Sequence, residues 1–164
     1  MSPRYAPLLA LSPLVVLLDQ WTKLLVVHRM VLYQSHEIVP GWFSLTYIQN
    51  RGAVFGFLAS QNHWWRLPLF LVLAAVAVVL LALYYARSRP EQTLLRNALA
   101  LVLGGAIGNV IDRLRLGYVV DFLDCYWHGH HWPAFNLADS AITVGICLML
   151  LDGILEGRRH EEGR

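Results

Sequence analysis

GGAIGNVIDRLRLGYVVDFLDCYWHGHHWPAFNLADS occupies residues 104–140 and carries four aspartates, two asparagines and two arginines between long apolar segments. Ionisable groups beside or inside hydrocarbon are costly, so where they occur they mark a functional site by default. Asp121 and Asp139 stand where the chain leaves one apolar segment and enters the next. This stretch therefore reads as the polar centre of a membrane protein.

The rest of the chain agrees. Its 164 residues are 57% hydrophobic and 15% charged, with a mean hydropathy of +0.48. A soluble domain carries roughly 25% charge. A net charge of +2, with scattered arginines, excludes a nucleic-acid-binding surface. The two cysteines, Cys125 and Cys147, make no disulfide framework, and Cys147 is expected to pack inside an apolar run.

Four segments suffice to cross about 30 Å of hydrocarbon, which takes roughly 20 helical residues. They are expected at 7–28, 67–86, 95–116 and 138–156. Arg4 followed by the apolar run 8–18 imitates a signal peptide, but no small-residue cleavage site follows, so a retained first helix is expected. The second segment has no charge and reads as scaffold. Arg4, Arg87, Arg89, Arg96, Arg158, Arg159 and Arg164 cluster at the termini and in the middle connection. The positive-inside rule then makes those parts cytoplasmic, and puts segments 29–66 and 117–137 outside. Trp42, Trp64, Trp65, Trp127 and Trp132 all fall in the two outer segments, where an aromatic belt belongs.

Residues 36–50, HEIVPGWFSLTYIQN, read as a hairpin around Pro40-Gly41, and 117–124 as a further strand completing a small sheet. Residues 53–60, AVFGFLAS, are too short to span and read as an interfacial helix that could act as a lid. The tail 157–164 is charged and expected to fray. The fold class is membrane all-α: one domain over 1–164, four transmembrane helices, a small periplasmic β-cradle and a short interfacial helix.

Asp19 and Lys23 are four apart on one helix face, either a structural ion pair or a support for the site. Asn50-Arg51-Gly52 reads locally as a helix cap, with Asn50 alternatively a donor to substrate. Gly104, Gly105 and Gly108 allow close helix approach. Asn109 and Arg113 lie one turn apart, positioned either to snorkel or to brace a carboxylate, and Asp112 reads as local charge balance with Arg113 or Arg115. Two carboxylates in contact share one proton, which gives Asp121 and Asp139 the makings of an acid–base pair. The blander alternative is that Asp139 caps the fourth helix. Asp124, Cys125, His128, His130 and His131 match no standard metal-ligand spacing and read as a solvated loop.

Together DQWTK at 19–23, NRGAVFGFL at 50–58, GGAIGNVIDRLRLGYVVDFLD at 104–124 and FNLADSAITVG at 135–145 resemble the lipoprotein signal peptidase (signal peptidase II) family over essentially the whole chain. The resemblance implies a bacterial inner-membrane aspartic endopeptidase that cuts diacylglyceryl-modified prolipoproteins before the lipidated cysteine. It implies Asp121 and Asp139 as catalytic residues. Asp19, Lys23, Asn50, Gly52, Gly105, Asn109, Arg113, Asn136 and Ala138 fall at motif positions that support the site or bind substrate. It further implies globomycin as an inhibitor. Membrane lipids are expected as surroundings and the chain is expected to be a monomer; no metal or cofactor is expected, because the acid pair supplies both the base and the electrophile. One departure stands out: the family's second motif is usually closer to N-T-G-A-A-F, and Arg51 puts a large cation where a small hydroxyl is usual. The alternative from another class is a small proton-coupled transporter with Asp19, Asp121 and Asp139 as relay carboxylates, which needs them at mid-membrane depth.

Overall fold

The computed structural model describes residues 5–52 and 65–162, with side chains as far as Arg158 in the last helix. The elements run α1 (Ala6–Arg29), β1 (Ser35–Val39), β2 (Phe43–Asn50), α2 (Arg66–Arg87), α3 (Thr93–Leu116), β3 (Val119–Trp127), β4 (His130–His131) and α4 (Leu137–Glu162). Four helices have the length and composition to cross a membrane. The interfacial helix and lid expected at 53–60 lie outside the described residues.

The helices divide by what they touch. α3 is 61% buried across its most apolar window and packs against α1, α2 and α4, whereas the matching window of α2 is 0% buried. That contrast explains the sequence: α3 tolerates Asn109, Asp112 and Arg113 because it faces protein, and α2 is uniformly apolar because it faces lipid. Val72, Val76, Leu80 and Leu83 of α2, Leu14 and Leu17 of α1, and Leu150 and Ile154 of α4 are all exposed. On span-length helices, such faces belong in hydrocarbon rather than water. Cys147, expected to pack inside, is exposed on α4, since the side of α4 that meets α3 is carried by Gly145 instead. The tail also differs from expectation, because α4 continues to Glu162: GRRHEE contains strong helix formers and no proline.

α3 stops at Gly117, which takes the left-handed conformation (φ 78°) and returns its N–H to the Arg113 carbonyl at 3.1 Å. The chain enters β3 directly. The sheet is antiparallel in the order β1-β2-β3-β4, and the expected hairpin turns at Pro40-Gly41. β3 runs past the expected end at residue 124 to Trp127, then turns through His128 (φ 48°) and Gly129 (φ 78°). A bulge between Leu45 and Ile48 resets the register so that Ile48 pairs with Asp121 and Asn50 with Val119. Val26 of α1, Tyr47, Val120 and Phe122 form the core that seats the sheet on the bundle. A second core, Tyr85, Leu95, Leu99 and Ala100, closes the opposite end.

Candidate active site

Where β3 meets the first turn of α4, Asn136 serves as the N-cap of that helix. Its Oδ1 accepts the Asp139 N–H at 3.0 Å, and Asp139 Oδ2 accepts the Asn136 N–H at 3.2 Å. This is a reciprocal capping box closed by aspartate at the third helical position. Because the oxygen of Asn136 is committed to that N–H, its amide nitrogen points the other way. It donates to Asp121 Oδ1 at 2.7 Å and to Asn109 Oδ1 at 3.2 Å. One fully buried asparagine thus joins the two aspartates. Asp139 therefore takes part in the cap of the fourth helix, and Asn136 links it to Asp121.

Each carboxylate has a second amide. Asn109 Nδ2 donates to Asp139 Oδ1 at 2.7 Å, and Asn50 Nδ2 donates to Asp121 Oδ2 at 2.9 Å. Asn50 ends β2 rather than opening a helix, and its Oδ1 accepts the Gly52 N–H at 2.8 Å, forming an Asx turn. Gly52 needs to be glycine on two counts: φ is 84°, and an added Cβ would run into the Phe70 ring.

Beneath the pair lies a buried charge cluster. Lys23 Nζ contacts Asp19 Oδ2 at 2.8 Å, Asp112 Oδ2 at 2.9 Å and Asn109 Oδ1 at 3.0 Å, which uses all three of its hydrogens. A buried charge is tolerable only when paired and hydrogen-bonded in this way. Asp19 Oδ1 accepts the Ala138 N–H at 3.0 Å, so α1 holds the first turn of α4. Ala138 is fully buried against Gly105, where any Cβ would meet the Ala138 carbonyl, and a Cβ on Gly108 would sit 2.6 Å from Asp19 Oδ2. The Arg113 guanidinium lies 5.6 Å from the Phe70 ring centroid and donates to the Asn109 carbonyl at 3.3 Å, facing Asp139, Asp121 and Asp112 across the site.

Asp121 is 2% exposed. Burial, partly offset by the Asn50 and Asn136 hydrogen bonds and reinforced by Asp139, pushes its carboxyl up to about 7. An acid with that affinity, linked through Asn136 to a second carboxyl group, is equipped for proton exchange near neutral pH. It lies on β3, outside the four spans, and Asp139 lies in the first turn of α4. These two carboxylates stand at the end of the helices and not midway along them, unlike Asp19 inside α1, so the three do not line up as the relay the transporter reading needs.

Residues 11–155 match the family model of Peptidase_A8, signal peptidase (SPase) II. The chain belongs to the signal peptidase II family. It is similar to a lipoprotein signal peptidase of Syntrophotalea carbinolica, with 52% identity over 94% of each chain, and to one of Geobacter metallireducens, with 46% identity over 99% of each. A structure described as a bacterial membrane enzyme, solved in meso at 2.3 Å, matches with a TM-score of 0.78 at 30% identity, covering 91% of this chain and 87% of that one.

In this signal peptidase II chain, the residues singled out from sequence gather at one end of the bundle: Asp19, Lys23, Asn50, Gly105, Asn109, Asn136, Ala138, Asp121 and Asp139 form one connected set of contacts. Two members were missed. Asp112 turns to Lys23, not to its neighbouring arginines, and Gln20 donates to Asp112 Oδ1 at 2.8 Å. A signal for Asp112 existed, since Gly105, Asn109 and Asp112 are spaced four and three apart on one helix face. The histidine loop lies apart: His131 Nδ1 bonds Asp124 Oδ1 at 2.8 Å and stacks on Tyr126, bracing the sheet.

Proposed function

We propose that this chain is an aspartic endopeptidase of the bacterial inner membrane, with Asp121 and Asp139 as its catalytic pair. It removes the signal peptide from diacylglyceryl-modified prolipoproteins by cutting before the lipidated cysteine. The observation that carries this reading is the linking of the two carboxylates through Asn136, whose side-chain amide donates to Asp121 and whose backbone N–H donates to Asp139, and family membership supports it. Asp139, at the positive end of α4 and receiving two N–H donors, acts as the ionised base. Asp121, whose carboxyl titrates near 7, carries the proton.

Water gives a proton to Asp139 and its oxygen to the scissile carbonyl carbon, while the Asp121 proton moves to the carbonyl oxygen. The C–N bond of the resulting tetrahedral diol then breaks. Asp139 delivers its proton to the departing amine of the lipidated cysteine, and Asp121 recovers its own from the diol hydroxyl. Asp19, Lys23, Asn50, Gly52, Gly105, Asn109, Arg113, Asn136 and Ala138 support the site.

In this reading both termini and the α2–α3 turn are cytoplasmic, and the sheet and site are periplasmic, as arginine placement favours. The substrate's acyl chains stay in the bilayer against the exposed helix faces while water reaches the peptide from the outer side. The chain acts as a monomer without metal, and globomycin occupies the aspartate pair.

The test is cleavage of a diacylglyceryl-modified prolipoprotein by purified wild type, Asp121→Asn and Asp139→Asn, each with a chelator present and each checked for folding. Activity in wild type alone is expected. Activity surviving either substitution overturns the pair, and activity abolished by the chelator reopens a metal mechanism.

A further inference from the structure

We propose that Asp112 is a positioning residue that sets both carboxylates from one point on α3, an inference that rests on the peptidase reading above. Asp112 is 2% exposed, and both its oxygens are spent on protein donors. Oδ2 accepts the Val120 N–H at 3.1 Å and Lys23 Nζ at 2.9 Å, and Oδ1 accepts Gln20 Nε2 at 2.8 Å. The residue donating the first of these bonds immediately precedes Asp121, so that bond fixes where β3 delivers its carboxylate.

The second bond reaches Asp139 indirectly. Held between Asp19 and Asp112, Lys23 has one hydrogen left, and it goes to Asn109 Oδ1 at 3.0 Å. An amide has a single oxygen. With that oxygen turned to Lys23 and Asn136, Asn109 can present only its nitrogen to Asp139. Without Asp112, Lys23 collapses onto Asp19 and the amide loses its orientation.

Asp112 also moderates charge. Among the described residues, the groups facing the site are Asp19 and Lys23 on α1, Asp112 and Arg113 on α3, Tyr118 between α3 and β3, Asp121 on β3 and Asp139 on α4, with Arg115 bonding Gln20 Oε1 at the rim. Lys23 favours the ionised form of Asp121, and a carboxylate paired with that ammonium, as Asp112 is, offsets part of its field. Neutralising Asp112 strengthens the pull of Lys23, so Asp121 gives up its proton at lower pH.

The experiment measures kcat and KM against pH, with thermal melting, for wild type, Asp112→Asn and Asp112→Glu acting on a diacylglyceryl-modified prolipoprotein in bicelles. For Asp112→Asn, kcat falls by roughly 10²-fold with KM changed less than about threefold, the loss expected of a misplaced reacting group. Its alkaline limb moves to lower pH. Asp112→Glu keeps the charge but displaces Val120, so kcat falls while the limb stays in place. A folded Asp112→Asn enzyme with wild-type kcat overturns the inference, and so does a kcat loss with no movement of the limb. If Asp112→Asn does not fold, Asp112→Glu decides alone: wild-type kcat refutes the role, and reduced kcat with an unmoved limb supports it. Failure of the peptidase reading is separately visible, as absent cleavage by wild type or cleavage surviving Asp121→Asn.

Discussion

Asn136 is the residue on which the site turns, because its two amide atoms serve opposite purposes. Asn136→Ala removes the cap of α4, which costs about 0.5–2 kcal/mol of stability, and leaves Asp121 Oδ1 without its closest donor. A lower melting temperature is expected, with a kcat loss larger than the stability loss explains. Asn136→Asp tests the halves separately: it keeps a capping oxygen but puts a carboxylate where the amide nitrogen was, so the melting temperature largely recovers at acidic pH while activity does not. Asp121 supplies a pH prediction. Its folded-state affinity of about 7 lies above the ordinary carboxyl value of 3.8, so between those limits the folded protein holds a proton that the unfolded chain has released. Its stability contribution is complete below 3.8 and disappears as pH rises through about 7. Melting scans from pH 4 to 8 should therefore show a downward slope that Asp121→Asn flattens, and wild-type cleavage should fall off above about pH 7.

At the level of elements, the contact between α3 and α4 sets the spacing of the site. Gly105 meets the Ala138 backbone with no room for a Cβ, and Ala138 is the residue whose N–H is held by Asp19. Gly105→Ala is expected to cost about 1–3 kcal/mol through overpacking and to separate Asp139 from Asn109. Reduced melting temperature with reduced kcat checks this; unchanged kcat would show that the helix contact does not govern the pair. Gly153, which has open space where a Cβ would stand, is the control: Gly153→Ala leaves both quantities unchanged or slightly raised. The hairpin, the strand after α3 and all four spans were legible because each rests on a local pattern: alternation around Pro-Gly, or apolar length. The bulge between Leu45 and Ile48 was not, since register depends on which residues the partner strand offers.

Across the whole molecule, lipid-facing and protein-facing surfaces follow helix by helix. A charge at Val76, exposed on the unburied α2, must enter hydrocarbon; Val76→Asp is expected to cost about 2.5–3.5 kcal/mol of insertion. Membrane fractionation after expression reads this, and full insertion of the variant would place that face against protein. Four spans return the chain to the side it started from, so reporter fusions at both termini and in the α2–α3 turn should fall on the same side of the membrane.

The sequence by itself determined the membrane class, the four spans and the hairpin, because each depends on composition or short-range spacing; Asp121 and Asp139 were singled out as a pair by the family resemblance. Tertiary structure alone decided what those residues do to one another. Asp112 reads as a partner of the arginine beside it, yet helical geometry turns it inward to Lys23, which comes from α1. Asn50 reads as a helix cap, yet the bulged register of β2 against β3 brings it to Asp121. Cys147 reads as packing, yet glycine rather than cysteine meets α3. In each case the deciding partner lies on another element, and a buried polar group takes the partner that satisfies it in space, not the one nearest along the chain.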